Sequence, residues 1–350
     1  MSDLRSTLFD PLQQVTVASD ALTPLIEQLL FKQSMFQFDA VVAAQRMIEA
    51  DLYGISAHGA GRILDASAAI KVGDVDPRAR VLTMHETSVL TVLDGSRALG
   101  HVAATKGIEA AIAKARSSGV GISAIGNSQT LGALSVYLRL AAAEGVIAIG
   151  MSSTGGATVS APGTTTGSVG NAAFSYAIPR LEAPPIVFDT ACGAASWAQL
   201  KLLKRFGVPI PDGLAFTANG QPTTDVDLAN VISPAGGSLG FGLSLLCSVL
   251  AGPLSDGQMA IRKKRTDSAD DSQHFFIALN ISQFTDPERF YKRLETAIAE
   301  MKAQDNNFRL PGERGAACHA ERSQSGIPLH KTIADEIRTL AESLKVEPRF

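Results

Sequence analysis

Residues Ile55 to Ile63 read ISAHGAGRI. One histidine, His58, stands among Ala57, Gly59, Ala60 and Gly61, and Arg62 follows close behind. A histidine destined for a core sits among large apolar side chains, and these neighbours supply none. An imidazole exchanges a proton near neutral pH, and a guanidinium presents a planar fork to an anion. The stretch reads either as a glycine-rich turn or as the floor of a reactive site.

The chain holds 31 glycines, which raises the question of a dinucleotide fingerprint. That fingerprint, G-x-G-x-x-G, follows a strand and opens a helix, so that a pyrophosphate meets the free N–H groups of the helix start. The nearest match runs from Gly119 to Ala124, but it follows a helical pattern and enters a strand. The fingerprint is absent. Three other clusters follow a strand or precede a helix: Ser152 to Gly156, Asp189 to Ser196 and Ala235 to Gly242. Each places backbone N–H groups where an anion can dock, and each also reads as ordinary turn chemistry. Three cysteines, Cys192, Cys247 and Cys318, are too few and too scattered for a disulfide framework or a zinc site, so no metal is expected.

The elements that must position these residues show in the periodicity. Helices are predicted from Thr23-Pro24, from Asp39 to Leu52, from Asp286-Pro287 to about Gln304, and from a capping-box-like Thr332 and Asp335. In the last of these, Ile333, Ile337, Leu340, Ala341 and Leu344 form one apolar stripe. The middle of the chain alternates. Strands are predicted at 89–93, 120–125, 146–151, 176–179 and 186–189, with helices at 108–117 and 135–144 between them. Strands interleaved with helices indicate an α/β sheet layer. Residues 255–273 are polar, charged and without period, and are expected to form a mobile surface loop. Residues 1–95 with 290–350 are expected to make a helical, substrate-side and dimerisation part, and 96–289 the α/β cofactor-binding part.

With 350 residues, 45% of them hydrophobic, the chain has room for a well-buried core. A net charge of −3 gives no reason to expect nucleic acid or an anionic membrane as partner. The single basic run, Arg262 to Arg265, is followed at once by the acidic stretch 267–271 and reads as a solvated loop. The N-terminal residues carry acids and no apolar core of a signal peptide. The most apolar stretch, Phe241 to Leu254, is shorter than the roughly 20 residues a membrane span requires. A cytoplasmic protein is the expectation.

Taken in chain order, the motifs resemble those of the type-2 malate/L-lactate dehydrogenase family. ADLYGISAHGAGR (Ala50 to Arg62) is similar to its A-D-L-x-G-x-x-S-H-G-x-x-R segment. Leu93-Asp94-Gly95 with Leu99-Gly100, GNSQTLG (Gly126 to Gly132), Gly170-Asn171 with Ile178-Pro179, and VFDTA (Val187 to Ala191) match further elements. So do PTTD (Pro222 to Asp225), PAGG (Pro234 to Gly237), LPGER (Leu310 to Arg314) and GIP (Gly326 to Pro328). The resemblance covers about Ile26 to the C-terminus.

It implies a non-Rossmann α/β fold that binds NAD or NADP and usually forms a tight homodimer. The reaction implied interconverts a small 2-hydroxy acid and a 2-oxo acid. By the same resemblance, His58 exchanges the proton on the substrate's C2 oxygen, Arg62 pairs with the substrate carboxylate, and Asp189 orients the histidine or meets the nicotinamide. Asp189, Thr190, Ala191, Cys192 and Gly193 are implied to line the nicotinamide side of the cofactor. Ser238 and Leu239 are implied near the phosphates, Pro311, Gly312 and Glu313 near the adenosine, and Thr130 and Ser128 beside the substrate.

The chain departs from the family at four places. Ser56 and Ala57 stand for an aspartate and a serine before His58, Thr130 for a second histidine, Ala172 for a proline, and Leu239 for a lysine. The departures leave alternatives open: reduction of a cyclic imino acid, or a non-redox enzyme or ligand-binding protein on the same scaffold.

Overall fold

The computed structural model describes residues 11–263, 271–305, 307–348 and 350. The strand–helix–strand order expected in the middle of the chain is present. Strand Leu90–Asp94 leads through helix Gly100–Ser118 into strand Val120–Ser128, and the two strands run parallel with Asp94 opposite Gly126. Among the described residues this is the one parallel pair in a seven-stranded sheet. Across the sheet the order is Leu82–Glu86, Leu90–Asp94, Val120–Ser128, Ser272–Asn280, Val146–Ser153, Ala173–Ile178 and Ile186–Ala191. A dinucleotide fingerprint belongs to the crossovers of a parallel, doubly wound sheet. A mostly antiparallel sheet has no place for it, which accounts for its absence from the sequence.

The central strand, Ser272–Asn280, starts inside the stretch expected to be a mobile loop. His274 and Phe276 on it are fully buried, and it pairs with Val120–Ser128 on one side and Val146–Ser153 on the other. The loop expectation also fails at its other end. Ser255 and Ala260 are buried, and Lys263 Nζ donates to the carbonyls of Ser153 and Asp271. A buried lysine held by carbonyls reads as surface charge in a sequence window. Residues 264–270, including part of the basic and acidic runs, lie outside the described residues.

Two helix starts differ from expectation. Helix Ser19–Lys32 begins ahead of Thr23-Pro24 and carries Pro24 inside it. The threonine hydroxyl donates back to the Ser19 carbonyl (2.7 Å), a bond within the helix and not a cap at its start. Helix Lys331–Ser343 is capped by His330, whose Nδ1 accepts from the Thr332 N–H, so Thr332 lies within the first turn. Its stripe is inward as expected, with Ile333, Ile337 and Ala341 buried.

One core joins the two chain ends. Leu22, Leu29, Met47 and Ile63 pack with Ile327, Ile333 and Ile337, and strand Gln14–Val17 pairs antiparallel with Ile327–His330. A second core fills the space between helix Gly100–Ser118 and the sheet, around Ile108, Ile125, Leu138 and Phe276. The most apolar stretch forms helix Ser238–Leu250, which buries Gly240, Ser244, Cys247 and Ser248 against the sheet and leaves Leu239, Leu245, Leu246 and Val249 exposed. With the following turn, Ser238–Ser255 is an 18-residue span apolar enough to cross a membrane by composition alone. That exceeds the length read from the sequence. Two of its serines nevertheless bond inward, Ser244 Oγ to the Gly170 carbonyl (2.6 Å) and Ser255 Oγ to the Leu250 carbonyl.

The start of helix Gly100–Ser118 rests on the backbone of the Gln129–Thr130 segment. A Cβ at Gly100 would lie 2.1 Å from the Gln129 carbonyl oxygen and 2.3 Å from that of Thr130. Gly100→Ala gains about 1 kcal/mol of helix propensity and loses about 1–3 kcal/mol to overpacking. A lower urea midpoint for Gly100→Ala is expected, and an unchanged or higher one contradicts this packing.

Candidate active site

Helix Gln37–Leu52 carries Asp51 in its last turn, 1% exposed. Its Oδ2 accepts the backbone N–H of Ala60 (2.6 Å), between His58 and Arg62. A Cβ at Gly59 would stand 2.1 Å from the Asp51 carboxylate, so only glycine lets the carboxylate pass beneath the loop. Gly61 backs onto Ile333, and Ala60 is fully buried. The small residues around His58 thus serve mainly the fold: they allow the loop to close over a carboxylate. Ala57 is the one whose side faces the open space ahead of the loop.

The loop is held from its other side by helix Glu313–Ser325. Arg322 donates to the Asp51 carbonyl (2.5 Å) and to Ser56 Oγ (3.4 Å), and Gly54 packs on Cys318. Ser56–His58 forms a single 3-10 turn, with the His58 N–H on the Ile55 carbonyl. Arg62 opens the next helix, Arg62–Val72, and its Nη1 donates to Asp65 (2.5 Å).

This loop walls a cleft of about 790 Å³. That volume lies within the usual range for small-molecule and cofactor sites, roughly 300–1,000 Å³. The cleft brings together His58, Arg62, Thr130, Asp189, Thr190, Ala191, Pro311 and Gly312, as the sequence suggested. Six further expected residues are not on its wall. Ser128 is buried with its hydroxyl turned to the Gln129 carbonyl, and Cys192 is buried behind the strand, bonding through its N–H to Ala172. Gly193 donates to Asn171 Oδ1. Ser238 and Leu239 start a helix away from the cleft, with Leu239 76% exposed, and Glu313 turns back to Lys302 and the Leu310 N–H.

Asp189 is open to the cleft but enclosed by protein on its other sides. Its Oδ2 accepts the Ser135 N–H (2.8 Å) at the start of helix Ser135–Ala143, so within the chain it bonds a helix terminus and not His58. Burial pushes its carboxyl above the ordinary range, while the Ser135 bonds and the nearby Arg139 guanidinium oppose the rise. Arg139 lies flat over Tyr53, 3.6 Å from the ring centroid.

Burial lowers His58 to about 3, and Arg62 adds to the effect. The ring is a neutral base at physiological pH, and its Nδ1 has no hydrogen-bond partner in the structure. His101, 2% exposed and also lowered to about 3 by burial, lies behind the Thr130 loop, with Nε2 3.0 Å from where a Gly132 Cβ would stand.

The charges on the cleft wall are lopsided. Arg62, Arg139, Lys201, Arg309, Arg314 and Arg322 line it, with Asp189 as the one carboxylate among the lining residues. Sequence reading passed over Arg139, Arg309 and Arg322, which sit in helix and loop segments without a motif of their own. Arg314 was in view as part of LPGER, and Asp51 as part of ADLYG, but nothing in a linear string shows a carboxylate reaching across to Ala60. The neighbouring helix cations are mostly engaged elsewhere: Lys204 with Asp227, and Arg205 with Glu336.

The family pattern described as malate/L-lactate dehydrogenase matches residues 17–338. The chain belongs to that family. It is 30% identical over 349 residues to a malate dehydrogenase of Pyrococcus abyssi, covering 95% of this chain and 96% of the relative. It is also 30% identical over 330 residues to a malate/(S)-sulfolactate dehydrogenase of Methanothermus fervidus, with 92% and 96% covered. The solved malate dehydrogenase of Pyrococcus horikoshii superposes with a TM-score of 0.86 at 26% identity, covering 96% of this chain and 97% of that one. Family membership makes the chain an oxidoreductase acting on hydroxy acids, and a nicotinamide cofactor comes with that chemistry. The α/β fold matches that of the solved malate dehydrogenase.

Burial raises the Asp51 carboxyl from 3.8 to about 6, with the Ala60 N–H, Ser56 and Arg322 opposing it. The sign follows from linkage. The folded state holds the proton more tightly than the unfolded chain, so stability from this group is full below pH 3.8 and is lost as pH rises through 6. The loss amounts to about 3 kcal/mol. The melting temperature of Asp51→Asn relative to the native protein is therefore expected to be more favourable at pH 7 than at pH 4. An equal difference at both would show that the carboxyl is not perturbed.

Proposed function

We propose that the protein interconverts a 2-hydroxy acid and its 2-oxo acid using NAD or NADP, with His58 as the proton acceptor and donor. The observation that supports this reading best is the placement of His58, Arg62 and Asp189 on one cationic cleft, with the first two on a single pinned loop.

The cleft suits a dinucleotide in charge and lining. Thr190, Ala191, Pro311 and Gly312 would hold it along the outer sheet strand, where Gly312 leaves no room for a Cβ against Val187. Arg309 and Arg314 would face its phosphates. When bound, the nicotinamide accepts or gives the hydride at the substrate's C2.

The chain's own residues do the rest. Arg62 keeps Asp65 on one guanidinium nitrogen and offers its fork to the substrate carboxylate. His58, neutral at rest, takes the hydroxyl proton of the 2-hydroxy acid as the C2 hydrogen leaves with its electron pair. In the reverse direction the imidazolium gives that proton back to the oxygen. Burial and Arg62 both oppose the imidazolium. A substrate carboxylate on Arg62 offsets the second of these, so substrate binding itself readies His58 for proton transfer. Asp189, bonded to Ser135 and facing Arg139, supplies the one negative charge on the wall.

A second copy of the chain is the proposed partner. The leucines left outward on helix Ser238–Leu250 form an apolar face that a homodimer would cover.

His58→Ala is expected to lower kcat by roughly 100- to 10,000-fold while cofactor affinity, read by nicotinamide fluorescence, stays within about threefold. Equal losses in both would remove His58 from proton transfer. Arg62→Lys is expected to raise KM for carboxylate substrates by about 10- to 100-fold. An unchanged KM would end the carboxylate assignment.

A further inference from the structure

A second cavity of about 150 Å³ lies behind the His58 loop. It shares a wall with the cleft, formed by Ile55, Ala57 and Arg62 from the loop and by Ala198, Gln199 and Lys201 from helix Trp197–Phe206. Where the two spaces adjoin, Ala57 and Ala198 are among the smallest side chains a wall can carry. Beyond them the cavity is lined by Leu202, Phe206, Leu329 and Ile333.

This inference rests on the proposed reaction. A 2-oxo acid is planar at C2, with the carboxylate, the oxygen and the side chain in one plane, and the hydride arrives from a face. With the carboxylate on Arg62 and the oxygen at His58, the third substituent needs its own exit from the same loop. The space behind Ala57 adjoins the cleft on that side of the loop.

Size and charge then select the substituent. A cavity of about 150 Å³ has room for a benzene-sized group; Leu202, Phe206, Leu329 and Ile333 give it one apolar side, and Gln14, Ser56, Gln199, His330 and the charged residues give it a polar one. With Arg62 given to the substrate's own carboxylate, the other cations on or near the wall already have carboxylate partners: Lys201 with Asp65 (3.7 Å) and Arg205 with Glu336 (3.3 Å). Asp51 and Asp65 border the space, and both would repel a second acid. We propose that this cavity receives the side chain of the substrate and fits an uncharged branched chain or single ring. The enzyme then prefers a 2-oxo acid larger than pyruvate and without a second acidic group.

The test compares pyruvate, oxaloacetate, 4-methyl-2-oxopentanoate and phenylpyruvate as substrates, with NADH and NADPH, for the native protein and for Leu202→Trp. Leu202 lines the rear cavity and not the cleft. The larger uncharged acids are expected to exceed pyruvate and oxaloacetate in kcat/KM by about tenfold or more. Leu202→Trp should cancel that advantage while changing pyruvate turnover by no more than about twofold. If the tryptophan variant does not fold, as judged by circular dichroism, Leu202→Phe makes the same test with a smaller intrusion. A preference for pyruvate or oxaloacetate, or an equal loss on every acid, overturns the inference and leaves the redox reading standing. If no acid is turned over, the 2-oxo acid reading falls, and calorimetric titration decides the cavity separately. Phenylpyruvate binding that Leu202→Trp abolishes supports it, and no binding to the native protein overturns it.

Discussion

A carboxylate buried under a loop governs this site. Asp51 is the last inward residue of its helix, and its bond to the Ala60 N–H fixes the short segment that carries both His58 and Arg62. Burying an ionised carboxyl is expensive unless it is bonded and faced by positive charge. Here the Ala60 N–H bonds it and Arg322 faces it, and Gly59 makes the approach possible. Arg322 also ties the same turn to a helix from the C-terminal end of the chain. The imidazole and the guanidinium are thus placed by the fold, with little freedom left to the loop.

The cleft stays cationic in spite of the departures from the family pattern. Leu239, where the family pattern has lysine, stands at an exposed helix start and not on the cleft wall. The wall keeps five arginines and a lysine against one carboxylate, so an anionic ligand still meets a strongly positive cleft. Thr130, in place of a histidine, does line the cleft, and the buried His101 lies just behind its loop. His58, neutral because it is buried beside Arg62, is in the form that accepts a proton from a hydroxy acid.

Much of this was legible in the sequence, and the rest was not for physical reasons. His58, Arg62 and Asp189 stood out because a glycine-rich loop and a strand end display polar residues in the open. The strands Leu90–Asp94, Val120–Ser128, Val146–Ser153 and Ile186–Ala191 were visible through their apolar runs, and the short Val159–Ser160 and Gly167–Val169 were not. The central strand Ser272–Asn280 was hidden because its first residues are polar and buried: Ser272 and His274 gain their side-chain partners from distant segments, Thr154, Ser152 and Gln129. Asp51 was hidden because helical periodicity shows which face is inward, not what a carboxylate on that face will meet. Pro24 and Thr332 misled for a simpler reason: local capping rules compete with side chains that sequence order does not bring into view, Thr23 Oγ1 on Ser19 and His330 Nδ1 on Thr332.

The central claim is that a hydride moves between a nicotinamide and the carbon beside a carboxylate held in this cleft. The most direct measurement follows the isotope itself. Native protein is incubated with a 2-oxo acid and NADH or NADPH carrying deuterium at C4 of the nicotinamide, and the product is read by mass spectrometry and NMR. The account predicts a 2-hydroxy acid with a single deuterium at C2. Oxidised cofactor and hydroxy acid formed without deuterium at C2, from either C4 epimer, would contradict it.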